Sequence, residues 1–97
     1  MKVMLWAKLK KRQKILFQAT SYVEHKGAWD ADALHEAMGE VCRALDIARP
    51  LVLQKHVQDA NAFSRVVFRK SDFVEPVSFD EFELELVAEE EKKGGKV

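Results

Sequence analysis

The sequence predicts a small α+β domain, a mostly antiparallel sheet with one main helix packed on one face. Three patterns carry this expectation. Residues 2–9 and 14–23 alternate with period two, residues 31–46 hold one apolar stripe at helical spacing, and residues 81–86 alternate again with glutamates on the second face. The expected order is a β-hairpin, the main helix, and then about three short strands.

In the hairpin, Val3, Leu5, Ala7 and Leu9 alternate with Lys2, Met4, Trp6, Lys8 and Lys10. Ile15, Phe17, Ala19 and Val23 then alternate with Leu16, Gln18, Thr20 and Tyr22. The connection Lys10-Lys11-Arg12-Gln13 is polar but has neither Gly nor Asn, which leaves the turn type and register open. Met4, Trp6, Leu16 and Tyr22 make the second face apolar as well, and a sheet covered on one side does not need them. Residues 25–28 break the pattern, and Asp30 or Asp32 is placed to cap a helix. Leu34, Met38, Val41 and Leu45 form the stripe of that helix, with Glu36, Glu40 and Arg43 opposite. Gly39 costs about 1 kcal/mol relative to Ala in a helix interior, so it points to a close approach by another segment.

Beyond Pro50, Leu51–Gln54 reads as a short buried strand, and 56–63 as either helix or loop with Val57 and Ala60 on its apolar side. Residues 64–70 read as a strand around Val66-Val67-Phe68, and Pro76 belongs to an edge or a loop. Phe82, Leu84 and Leu86 alternate with Glu81, Glu83 and Glu85, the pattern of an edge strand guarded by charge. Residues 89–97 are a charged, Gly-containing segment expected to be a disordered tail, which leaves 1–88 as the single domain.

Sixteen basic and sixteen acidic side chains cancel, so no overall field recruits nucleic acid or an anionic membrane. By position the balance disappears. Residues 1–14 hold six bases and no acid, whereas residues 72–91 hold nine acids and no base. Neighbouring strands with attracting cross-strand pairs are the expectation. The apolar run after Lys2 is stopped by Lys8, too early for a signal peptide, and no stretch approaches a membrane span. One cysteine, Cys42, fits a reducing compartment, and the expected location is cytoplasmic.

Leu5-Trp6, Leu45-Asp46-Ile47 with Arg49-Pro50, Lys55-His56, Phe73-Val74-Glu75-Pro76 and Phe79-Asp80 together resemble a family of short bacterial proteins of uncharacterised function. The resemblance implies a stand-alone bacterial domain and transfers no residue roles.

The densest set of functional side chains runs from Arg49 to Lys70. Within it, Lys55, His56, Asp59, Arg65 and Arg69 are the candidate binding residues. On a strand, Arg65 and Arg69 flank Val67 on one face and could grip an anion between them. On a helix, Asp59 three residues after His56 could orient and charge the imidazole. Against this stands the ordinary solvation of surface charge. Lys10, Lys11 and Arg12 are candidate nucleic-acid contacts, with Trp6 or Tyr22 as stacking partners. Phe17 lies on the other face, and a near-neutral pI of 6.8 does not fit a nucleic-acid-binding domain. His35 and Cys42 share a side of the helix, but a zinc site wants four ligands from recognised pairs. No catalytic residue, metal set or cofactor motif stands out.

These features best fit a non-enzymatic binding or assembly module acting through protein–protein contacts. Its expected partner is a protein or a second copy in a homodimer. The alternative is nucleic-acid binding through the basic hairpin or the Arg65/Arg69 patch, followed by a small-anion site or enzyme around His56, Asp59 and Arg65.

Overall fold

The computed structural model describes residues 1–89. Strands β1 (Lys2–Lys11) and β2 (Lys14–Glu24) form the hairpin that the alternation predicts. Its turn puts Arg12 and Gln13 at φ 53° and 69° between the paired Lys11 and Lys14. Two central residues at positive φ mark a type I′ connection, in which Asn-Gly is preferred. An outside carboxylate supports the less favoured pair. Asp80 Oδ2 accepts the Arg12 N–H at 2.8 Å, and the Asp80 N–H donates to Lys10 O at 2.8 Å. The bond from Arg12 holds the Asp80 carboxyl below its usual range.

The expected main helix at 31–46 forms as a bent helix in two segments, α1 (Ala31–Ala37) and α2 (Gly39–Ala44), that meet at Met38. Asp30 caps α1 by accepting the Ala33 N–H at 2.8 Å. The buried stripe Leu34, Ala37, Met38, Val41 and Cys42 runs across the bend. At Gly39 a Cβ would lie 3.0 Å from the Arg49 guanidinium, the close approach that the glycine predicts.

The predicted strand at 51–54 does not form. Leu51 and Leu53 are exposed, and Gln54 already opens helix α3 (Gln54–Phe63). The Leu53 N–H donates to His56 Nδ1 at 2.9 Å, so an imidazole caps the helix start where glutamate is usual. Residues 56–63 are thus helix. Ser64, at φ 56°, closes α3 with its N–H on Ala60 O. Strand β3 (Arg65–Arg69), a 3₁₀ turn (Lys70–Asp72), a loop holding Pro76 and strand β4 (Glu81–Glu89) complete the described chain. Among the described residues two strands follow the helices, where about three were expected, because 51–54 is not one of them. Glu89 belongs to β4, and the rest of the expected tail lies outside the described residues.

All neighbours in the sheet are antiparallel, in the order β2-β1-β4-β3. The acidic strand β4 is therefore central, which overturns its reading as an edge. Its neighbour is the basic strand β1, as the charge segregation predicts, with Lys8 opposite Glu83 and Lys10 opposite Glu81. Leu5, Ala7 and Leu9 lie opposite Leu86, Leu84 and Phe82, and Val66 and Phe68 continue this face on β3. All three helices pack on that one face. No helix among the described residues is long and apolar enough to cross a membrane.

Candidate functional site

The predicted cluster divides across the sheet. His56 is buried under α3 on the core face, its ring 4.4 Å from that of Phe68. Its Nε2 lies 3.3 Å from Oδ2 of the buried Asp72, which also accepts the Arg69 N–H at 2.8 Å. Burial pushes the imidazole below its ordinary value, and the attraction of Asp72 only partly offsets this. The pair ties α3 to the end of β3. Asp59 and Lys55 are exposed on α3, and Asp72 is the carboxylate beside His56.

Arg65 and Arg69 share a face across Val67, but it is the face without helices. Arg65 Nε donates to Glu83, and Arg69 Nη1 donates to Glu81 Oε2 at 3.1 Å. Lys10 Nζ approaches Glu83 Oε1 at 2.5 Å from the other side. Glu83 is only 3% exposed. Burial raises its pKa, yet the bonds from Lys10 and Arg65 outweigh that and hold it below its ordinary value. Lys8 sits 3.6 Å from Glu85 and 3.8 Å above the Trp6 ring, whose Nε1 donates to Gln18 at 2.9 Å. The open face is thus a lattice of ion pairs. It engages Lys10, Arg65, Arg69 and Trp6, while Lys11 is exposed at the turn and Arg12 is anchored there through its backbone. The Cys42 thiol is pushed up to about 12 by burial, against a smaller opposing pull from Arg49, and stays protonated near neutrality.

The two sheet edges differ in kind. Strand β3 has five residues with arginine at each end, a short and charged edge of the sort that resists pairing. Strand β2 has eleven residues, with Lys14 and Glu24 as its only charges, at its two ends. Between them Ile15, Leu16, Phe17 and Tyr22 are exposed, Phe17 at 64%. The His25 N–H donates to Met1 O at 3.0 Å, so Met1 and His25 are a hydrogen-bonded pair. Alternation from that pair turns the N–H and C=O groups of Gln18, Thr20, Tyr22 and Glu24 away from β1.

Beside the C-terminal half of β2 lies a pocket of about 320 Å³, with Val23, Trp29, Ala33 and Ala37 as its apolar lining and Glu24, His25 and Glu36 as its polar one. Trp29 is held rigidly. Its N–H donates to Asn61 Oδ1 at 2.8 Å, its C=O accepts from Asn61 Nδ2 at 3.0 Å, and the His25 ring stacks on it at 3.6 Å. A second cleft, of about 450 Å³, lies between residues 46–49 and 73–79, with Phe73, Val77 and Phe79 opposite Ile47 and Arg49.

Trp29, Asn61 and the outward groups of β2 do not stand out in the sequence. The apolar second face of the hairpin was the available signal, together with the lack of charge from Ile15 to Val23. Comparison with protein-family models, curated proteins and solved structures gives no match for this chain.

Proposed function

We propose that this protein is a non-enzymatic binding and assembly module that acts through protein–protein contacts, and that the β2 edge is its recognition surface. The observation that carries this is the contrast between the edges: β3 is short and charged, whereas β2 is long, apolar and open. An extended segment added to β2 would satisfy its outward backbone groups and cover Phe17. The chemistry-bearing groups elsewhere support a non-catalytic reading, since His56 is buried in a structural tie and the Cys42 thiol is held neutral. Engagement of Lys10, Arg65 and Arg69 by β4 carboxylates also favours protein contacts over a phosphate backbone. A single buried cysteine suits a reducing compartment, and we place the module in the cytoplasm.

The test is affinity capture from a lysate of the source cells with the wild-type chain and a Thr20→Pro variant as baits. The Thr20 N–H faces outward, so proline removes no bond within the sheet. Specific partners should be retained by the wild type and lost by the variant. An identical partner set for both would overturn the edge as the recognition surface.

A further inference from the structure

Given the proposed use of the β2 edge, we infer that its partner is the β2 edge of a second copy, paired antiparallel about a two-fold axis at Thr20, with Phe17 of each copy seated against the pocket beside Val23 and Trp29 of the other. The hydrogen-bond alternation points the Thr20 N–H and C=O outward, so two copies of Thr20 facing each other exchange both bonds. This register keeps every residue beyond the bulge on its own face. Phe17 comes opposite Val23, and the two already share the helix side of the sheet through Leu9 and Val3.

Shape and charge agree with that placement. Phe17 projects from the helix side near the start of β2, where it is 64% exposed. The pocket lies on the same side near the strand's end. Among the described residues neither feature meets its complement within one chain, because the two lie at opposite ends of the strand. A two-fold brings each projection to a pocket, twice over, which is how an isologous interface closes. The charges follow in balance: Lys14 at the start of β2 comes opposite Lys26 but diagonal to Glu24, and Glu36 also lines the pocket, so that end carries two carboxylates against one ammonium. Antiparallel pairing sets the basic end of one copy beside the acidic end of the other, whereas parallel pairing would set like beside like. The product is an eight-stranded sheet whose two free edges are the short, charged β3 strands.

Sedimentation velocity at micromolar concentration on the wild type, Thr20→Pro and Phe17→Lys tests this, with circular dichroism as the folding control. The wild type should sediment at twice the 11.1 kDa of one chain, and both variants should lose the dimer while keeping their spectra. Should proline disturb the fold, Phe17→Lys decides alone, because Phe17 contributes nothing to the buried core. A folded wild-type monomer, or a dimer that the folded variants do not weaken, overturns the inference. If that monomer still captures lysate partners in a Thr20-dependent way, only the second copy is wrong and the edge reading stands. Capture insensitive to Thr20→Pro would remove the edge reading itself.

Discussion

Asp46 follows the C-cap of α2 at φ 59°, where the Ile47 N–H reaches Cys42 O at 3.0 Å and the Asp46 N–H reaches Arg43 O at 3.1 Å. These two crossed bonds form a Schellman motif, in which glycine is the usual residue at this position. Aspartate adds a left-handed backbone penalty and a negative charge at the negative end of the helix dipole. Asp46→Gly should therefore stabilise the fold by about 1 kcal/mol, raising the melting temperature by about 5 °C in a domain of this size. Thermal denaturation of the two chains checks it. Glu83 poses the opposite case, since Lys10 and Arg65 both depend on its charge. Glu83→Gln should cost about 2 kcal/mol, the scale of hydrogen bonds to a charged group, with the half-exposed Arg65 keeping the loss from being larger. Equilibrium urea unfolding would show it as a lower midpoint at unchanged slope. Folded Glu83 and folded His56 both bind protons less readily than their ordinary forms. As pH falls, the unfolded chain takes up protons first and stability drops. The fall should begin below the ordinary imidazole value of 6.5 and steepen below the ordinary carboxyl value of 4.5, and urea midpoints across that range measure it.

Among the elements, the strands were the most readable in the sequence because each reports its face through alternation. The lysines of β1 and glutamates of β4 also announced their partnership by charge alone. What alternation does not say is which side a helix will choose. Arg65 and His56 are nine residues apart and looked like one cluster. Yet α3 packs on the core face of β3 while both arginines face away, and the cluster falls apart. Leu51–Leu53 misled for a related reason: three apolar residues after a proline suit a strand, but here they lead into α3. The central position of β4 was hidden because its glutamates resemble a guarded edge, and only the cations of β1 and β3 on either side make the inner place tolerable. At the hairpin the sequence lacks the residues its turn prefers, with Asp80 as outside support. Replacing Arg12-Gln13 by Asn-Gly should stabilise by about 1 kcal/mol, since both positions hold positive φ. Denaturant titration tests this, and the gain should be at least as large in an Asp80→Ala background, where that support is gone.

For the whole molecule, a formal net charge of zero leaves little long-range repulsion between copies near neutrality. Among the described residues, one face of the sheet is covered by helices and the other carries its own ion pairs, and β2 is the longer and less charged of the two edges. If that edge is where copies meet, folding and association are linked and the melting temperature must depend on concentration. For a folded dimer in equilibrium with unfolded monomers, each tenfold rise in protein concentration adds about 0.7 kcal/mol per chain. In a domain of this size that corresponds to an upward shift of about 3 to 5 °C. A dilution series followed by differential scanning calorimetry should show this slope for the wild type and a flat line for Thr20→Pro. A flat line for both would mean that the edge remains unpaired through the melt, and equal slopes would place the association on another surface.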